Sequence, residues 1–263
     1  MKLRKLGSTE IFVSPLGLGT VKLGRDQGVK YPENFVIPDD KAAGDLIALA
    51  KELGLNLIDT APAYGNSEQR LGTLLKGQRQ DWVICSKVGE EYENGKSFYN
   101  FNAEHTRHSI ERSLKRLNTD YIDMVLVHSD GNDLAVINEA EVLQELAACK
   151  QRGLIRAYGV STKTVAGGIA AADKTDIVMA TYNLDYREEA PVIEHCQQIN
   201  KGLLIKKAFA SGHLCAAGED PIQKSMDFIF SHDAISSVII GTINPAHLRA
   251  NVQAAMTATK TKK

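Results

Sequence analysis

The sequence has no CxxC pair: its four cysteines, Cys85, Cys149, Cys196 and Cys215, lie far apart. That spacing argues against a thiolate zinc site or a disulfide framework and suits a reducing compartment. No apolar run approaches the ~20 residues that span a bilayer, and the basic start Met1-Lys2-Leu3-Arg4-Lys5 has no apolar segment behind it, so no secretion signal is read. The expected location is cytoplasmic, with no membrane partner. An excess of one charge is missing too: 31 basic residues face 32 acidic ones, a formal net charge of -1. No footprint for nucleic acid follows from that balance, and the tail lysines Lys260, Lys262 and Lys263 read as a solvated terminus. Also absent are a metal-ligand cluster, a phosphate-cradling loop and any G-x-G-x-x-G after the first strand, which counts against an open dinucleotide-binding sheet. Gly17-Leu18-Gly19 alone fits close strand packing.

What is present is a repeat. The 263 residues, 43% hydrophobic and 24% charged, match an ordinary globular chain and the roughly 250 residues of one α/β barrel. Lys2–Leu6 and Ile11–Val13 flank Gly7-Ser8-Thr9 as a β-hairpin. Strands are then expected at Leu16–Gly19, Leu55–Asp59, Trp82–Ser86, Tyr121–Val127, Leu154–Val160, Ile177–Thr181, Gly202–Ile205 and Ser237–Ile240. Helices alternate with them: one capped by Asp39 or Asp40 and ended by Gly54, then Ser67–Leu75, Ala103–Leu117, Ile137–Arg152, Thr164–Ala172, Glu188–Asn200, Ile222–Phe230 and one with Pro245 in its first turn. Eight such units with no composition shift predict one domain over residues 1–263, a (β/α)8 TIM barrel of the α/β class preceded by the hairpin.

Barrel enzymes carry their chemistry at the C-terminal ends of the strands. Asp59 ends the second apolar run, Lys87 and His128 follow the third and fourth, and Ser161 follows the fifth. Singly, each has a plain structural reading: a loop brace, a surface lysine, a hydrogen-bonded histidine. On one rim they combine with Tyr64, five residues past Asp59, into a proton-delivery relay. A phenol with a pKa near ~10 is a poor donor at neutral pH unless an ammonium stabilises its anion, and a buried ammonium needs a carboxylate.

The chain resembles the aldo-keto reductase family over essentially its full length. The resemblance is carried by Gly17-Leu18-Gly19-Thr20, Leu57-Ile58-Asp59-Thr60-Ala61-Pro62-Ala63-Tyr64-Gly65, Ser86-Lys87-Val88-Gly89, Val127-His128, Gly159-Val160-Ser161 and the stretch from Ile240-Gly241 to Asn251. It implies a catalytic set of Asp59, Tyr64, Lys87 and His128, with Tyr64 as general acid, Lys87 tuning it, Asp59 pairing Lys87 and His128 placing the carbonyl. It implies a nicotinamide cofactor, NADPH by family habit with NADH possible, in contact with Thr20, Asp59, Ser161, Thr162, Met179, Lys206, Ser211, Gly241, Thr242, His247 and Asn251. Implied with these are a small aldehyde or ketone as substrate and a monomer or weak homo-oligomer.

Departures from the family pattern fall in the cofactor region. Thr162 stands where an asparagine is usual, Met179 where a glutamine is common, and Lys206 where an aromatic often stacks on the nicotinamide. Lys206 would contact cofactor oxygens or lie on the surface, with Phe209 as the alternative stacking group. His247 is the nearest match to an arginine that holds the adenosine 2′-phosphate, and Arg249 would help if it faced inward. The chain ends soon after its last helix, so the pocket walls are expected from the loops at Lys22–Pro38 and Gly89–Asn102, with Tyr31, Tyr92, Phe98, Tyr99 and Phe101. Two other readings compete with a carbonyl reductase: a nicotinamide-binding regulatory subunit, and a lyase or isomerase using Lys87 as a Schiff-base amine.

Overall fold

The computed structural model describes residues 1–29, 34–216 and 220–260; Tyr31, Lys262 and Lys263 lie outside the described residues. In chain order the elements are β1 (Arg4–Lys5), β2 (Phe12–Val13), β3 (Leu16–Gly19), α1 (Val21–Gly24), α2 (Asp40–Glu52), β4 (Leu57–Asp59) and α3 (Ser67–Leu74). There follow β5 (Val83–Val88), β6 (Glu90–Glu93), β7 (Lys96–Tyr99), α4 (Ala103–Leu117), β8 (Ile122–His128), α5 (Asp133–Asn138) and α6 (Val142–Gln151). The rest are β9 (Ile155–Ser161), α7 (Val165–Lys174), β10 (Ile177–Thr181), α8 (Ala190–Gln198), β11 (Gly202–Lys206), α9 (Pro221–Ile229), β12 (Ser237–Ile240) and α10 (Pro245–Lys260).

Eight parallel strands close into a barrel in the order β10-β11-β12-β3-β4-β5-β8-β9, the (β/α)8 architecture expected. Near-continuous apolar strands suit this because both faces are covered: one looks into the barrel, the other at the helices. Alternation along each strand divides the core in two. Leu57, Cys85, Met124, Leu126, Ala157, Ile177, Met179 and Leu204 fill the interior. Ile58, Ile84, Val125, Val160, Val178 and Ile205 face outward into the larger layer beneath the helices. Leu6, Ile11 and Val13 of the β1–β2 hairpin pack with the inner set, so the hairpin plugs the barrel end away from the site.

The helices follow local rules. Asp39, not Asp40, caps α2 by accepting from the Ala42 N–H at 2.7 Å. Asn102 caps α4 through the His105 N–H at 2.7 Å, and Asn118 ends it in the left-handed region at φ 51°. Both are the side chains that satisfy terminal amides or tolerate that conformation.

Four expectations need correction. The single helix from Ile137 to Arg152 is two, α5 and α6, broken so that Glu141 turns aside and accepts from the Ala103 N–H at 2.9 Å. The presumed loop at Gly89–Asn102 contains an antiparallel ladder, β6 with β7, and the loop after β3 opens with the short α1. Four strands also run past their apolar residues, so that Lys87, His128, Ser161 and Lys206 lie in them rather than after them.

Candidate active site

Because side chains alternate along a strand, Asp59, Lys87, His128, Ser161, Thr181 and Lys206 all occupy inward positions in continuation of the apolar interior set. Buried among them, the Lys87 ammonium donates to Asp59 Oδ1 at 2.6 Å and to the Thr60 carbonyl at 2.9 Å. Lys87 and Asp59 are 2% and 3% exposed, so neither charge could stand alone. Burial works against charging Lys87, but Asp59, with Tyr64 and Cys85 adding to it, wins and raises its pKa above the ordinary value.

Tyr64 comes to this pair on the loop after β4. Gly24 and Gly65 approach backbone to backbone: a Cβ on Gly65, at φ +62°, would lie 2.0 Å from the Gly24 carbonyl oxygen. Only glycine permits that contact, and it pins the tyrosine loop against α1. The Tyr64 ring then sits with Lys87 Nζ 5.0 Å from its centroid. His128 stands edge-on to it, with centroids 6.4 Å apart and planes at 87°.

One residue here went unread in the sequence. Glu90, the first residue of β6, places Oε2 2.7 Å from His128 Nδ1 and accepts from Ser97 Oγ at 2.6 Å. Burial pushes the carboxyl up, yet His128, Ser97 and Arg25 outweigh it and hold it at about 2. Burial pushes His128 below its ordinary value; Glu90 pulls the other way, while Lys87 and Lys206 add to the depression. The missed signal was Asn94-Gly95, both at positive φ (50° and 81°), the dipeptide of a two-residue hairpin turn.

The far side of the rim is held differently. Lys206 Nζ donates to Ser161 Oγ at 2.8 Å and to the Thr162 carbonyl at 2.7 Å. Burial is the main cause that pulls its pKa down to about 7, with Lys207 and Lys163 helping and Glu189 opposing. Glu189 is shifted upward by burial, against Lys206 and the Thr181 N–H. On this side of the rim Thr162 Oγ1 and Glu189 Oε2 are buried without a hydrogen-bond partner, as is His128 Nδ1 on the other side, an arrangement that folded proteins avoid unless a ligand or water completes it.

The remaining cofactor candidates divide. Gly241, Thr242 and Ser211 are partly exposed, Asn251 is 6% exposed, and His247 is exposed on α10. His247 and Asn251, four residues apart, share a face; Arg249, also exposed, lies about 200° round the helix from His247 and does not face inward. Met179 is 2% exposed within the inner apolar cluster, and its carbonyl is taken by the Thr162 N–H. The Thr20 hydroxyl donates to the Asp59 carbonyl at 2.9 Å and accepts from Ser67 at 2.8 Å. Thr20 therefore braces the Asp59 strand end, and neither side chain offers a free polar group to the rim. Phe209 packs against the outer core. Of the expected wall residues, Phe98 and Tyr99 are 45% and 38% exposed, Phe101 packs partly against the core, and Tyr92 lies under the Arg25 guanidinium at 3.5 Å.

Among the described residues, no group of three or more His, Cys, Asp or Glu is placed to hold a metal ion, and no helix is long and apolar enough to cross a membrane. A sequence model of the Aldo/keto reductase family matches residues 15–227. A crystal structure from Pseudomonas aeruginosa, assigned to the aldo-keto reductases, superposes with a TM-score of 0.90 at 54% identity, covering 98% of this chain and 95% of that one. The aldo-keto reductase YhdN of Bacillus subtilis is 30% identical over 89% of this chain and 70% of its own length. An NADH-specific methylglyoxal reductase of Escherichia coli is 31% identical over 78% of this chain and 66% of its own.

Proposed function

The chain belongs to the aldo/keto reductase family, and from that premise we propose that it reduces a small aldehyde or ketone to the alcohol with hydride from NAD(P)H, Tyr64 giving the proton. The observation that carries this reading is the Lys87 ammonium seated between Asp59 at 2.6 Å and the Tyr64 ring at 5.0 Å. The attraction by which Tyr64 raises Lys87 acts equally on the phenolate, so Lys87 lowers the cost of losing the phenol proton. Asp59 keeps Lys87 charged and aimed, and His128 borders the place where the carbonyl oxygen would accept that proton. General acid catalysis of this kind contributes roughly 10²–10⁴-fold.

The residues present fit a nicotinamide cofactor. The unpartnered Thr162 Oγ1 faces the same unmet need as an amide-binding group, and Lys206, Ser161 and Glu189 supply further polar atoms beside it. The N-terminus of α10, with Asn244 accepting from the Ala246 N–H at 2.8 Å, favours an anion near Thr242 and His247. When bound, the reduced nicotinamide supplies the hydride. With Met179 apolar and Thr162 in place of an amide, the carboxamide would be held by fewer bonds than is usual in the family. An exposed His247 in place of a permanently charged side chain supports use of NADH beside NADPH, as does the NADH specificity of the Escherichia coli relative. The aromatic, open walls suit a small carbonyl, and an α-oxoaldehyde is the first to try.

The test is oxidation of NADH and NADPH with an aldehyde panel by wild type and Tyr64→Phe. Turnover should fall ~10²–10⁴-fold while cofactor affinity, read by fluorescence titration, changes little. Wild-type turnover in Tyr64→Phe would remove the proposed acid. An NADPH preference above ~100-fold, about 2.7 kcal/mol, would remove the relaxed cofactor choice. Cofactor binding without turnover on any carbonyl would favour a regulatory binding protein.

A further inference from the structure

Lys87 and Lys206 both hold inward positions at the rim, and their partners differ. Lys87 sits on Asp59 at 2.6 Å, so its nitrogen lone pair is committed to a proton. That pairing removes Lys87 as a Schiff-base amine. Lys206, the last residue of β11, is held by uncharged acceptors: Ser161 Oγ at 2.8 Å and the Thr162 carbonyl at 2.7 Å. An ammonium has three N–H donors and no lone pair, whereas a free amine has two donors and one lone pair. Two acceptors therefore match the amine and leave its lone pair unused. Beside it, Glu189 is 1% exposed and tied through Oε1 to the Thr181 N–H at 3.2 Å, while its Oε2 has no hydrogen-bond partner. Thr162 is fully buried with Oγ1 unpartnered. Buried polar atoms left open around one amine mark a place where a ligand's own polar atoms would be met.

We propose that Lys206 is a reactive amine that condenses with a small aldehyde to form an imine, a covalent site on the cofactor half of the rim. The lone pair forms the C–N bond, the carbonyl oxygen gains a proton and the nitrogen loses one, giving a carbinolamine. Its hydroxyl then takes a proton and leaves as water while the nitrogen gives up its remaining proton, so nothing is oxidised or reduced. Glu189 is the carboxyl placed to lend and recover that proton, since burial shifts it upward and lets it hold a proton more readily than an ordinary carboxyl. Burial also brings Lys206 to about 7, with Lys207 after β11 and Lys163 after β9 adding to it, and Glu189 before α8 and Asp133 of α5 opposing. His128 from β8 faces it as well. Roughly half of Lys206 is thus free amine at pH 7, against under ~0.1% of a lysine at its ordinary value. The site needs neither nicotinamide nor turnover, so it stands apart from the reductase reading.

Propanal with sodium cyanoborohydride traps the imine as a secondary amine, hydride going to the imine carbon and a proton from water to the nitrogen. Mass spectrometry of peptides then locates the propyl group. On the full chain at pH 7, Lys206 should be labelled at least ~10-fold faster than the exposed Lys76 and Lys115. That lead should shrink by pH 10, where the exposed lysines supply free amine too. Lys206→Met and Lys206→Arg should both lose the fast adduct and keep the slow ones, and Glu189→Gln should slow it by roughly 3–10-fold. Labelling of Lys206 no faster than of Lys76 overturns the site. So does a fast adduct that maps elsewhere or survives in Lys206→Met, or a lead unchanged between pH 7 and pH 10. Saturating NADH or NADPH should slow the labelling in proportion to its occupancy. Unchanged labelling with the cofactor bound, as read by fluorescence, would count against the cofactor placement alone.

Discussion

On one side of the rim, Lys87 is enclosed by Asp59 and the Thr60 carbonyl, its charge reinforced by its neighbours. On the other, Lys206 leans on Ser161 and the Thr162 carbonyl and is drawn down to about 7, beside the unpartnered Thr162 Oγ1 and Glu189 Oε2. Both lysines occupy inward positions near the ends of their strands, Lys87 fully buried and Lys206 half-buried. What separates them is the carboxylate: Asp59 touches Lys87 at 2.6 Å, whereas no hydrogen bond or ion pair joins Glu189 to Lys206. The ion pair of the first half is complete without a ligand, although His128 Nδ1 beside it has no hydrogen-bond partner; the second half has two such polar atoms, Thr162 Oγ1 and Glu189 Oε2, and a lysine with no ion pair. Proton delivery needs preset geometry, while the cofactor side gains its binding energy when those groups are met.

Breaking the complete half should cost most. Lys87→Met leaves the Asp59 carboxylate buried and unpaired, and a urea titration should show a loss of about 3–5 kcal/mol together with near-complete loss of turnover. Asp59→Asn combined with Lys87→Met removes both charges and should restore most of the stability without restoring activity. A single variant as stable as wild type would show that this half is not built around its ion pair.

The incomplete half should respond in the opposite direction. Lys206 has a folded pKa near 7 against an unfolded 10.5, so between those values the unfolded chain holds more protons and stability rises with pH. The penalty is fully present below about 7 and gone above 10.5; Lys87, shifted upward, changes nothing in that window. Lys206→Met should therefore flatten the rise and stabilise the apo protein at pH 7 by about 2 kcal/mol, reduced from the full shift because the residue is half-buried. A pH-independent midpoint in wild type would remove the contrast between the lysines. Thr162→Val probes the same side more gently. It replaces a buried unpartnered hydroxyl with a methyl group, so it should stabilise the apo protein by up to ~1 kcal/mol yet weaken nicotinamide binding, read by titration. A loss on both counts would mean that the hydroxyl is already satisfied.

The same contrast explains what the sequence disclosed. The barrel was legible because apolar strands and one-faced helices repeat eight times, and the first half of the site because Asp59, Lys87 and His128 directly continue those apolar runs. Strand ends were read short for the same reason: the rim residues are polar, so the runs stop before the strands do, at Lys87, His128, Ser161 and Lys206. Hairpin β6–β7 was missed because its strands, Glu90–Glu93 and Lys96–Tyr99, are largely polar and exposed. Only Asn94-Gly95 marked it. The break between α5 and α6 has no glycine or proline to announce it; a tertiary contact, Glu141 with the Ala103 N–H, makes it.

The smallest effect should come from the exposed edge of the cofactor half, on α10. His247 lies in the helix's first turn, where amide dipoles already favour an anion. A fixed cation there would add to that attraction, but at an exposed site a charge pair is worth only about 0.2–1 kcal/mol. His247→Arg should accordingly raise the ratio of kcat/KM for NADPH over NADH by no more than ~5-fold. Arg249→Ala, altering a residue on the opposite side of the helix, should leave the ratio within about 2-fold. Salt distinguishes the two cases, since a real contact with a 2′-phosphate weakens as ionic strength rises, and the gain in His247→Arg should shrink accordingly. A larger change from Arg249→Ala than from His247→Arg would mean that α10 presents its other face to the nucleotide, and the cofactor half of the rim would have to be redrawn around that face.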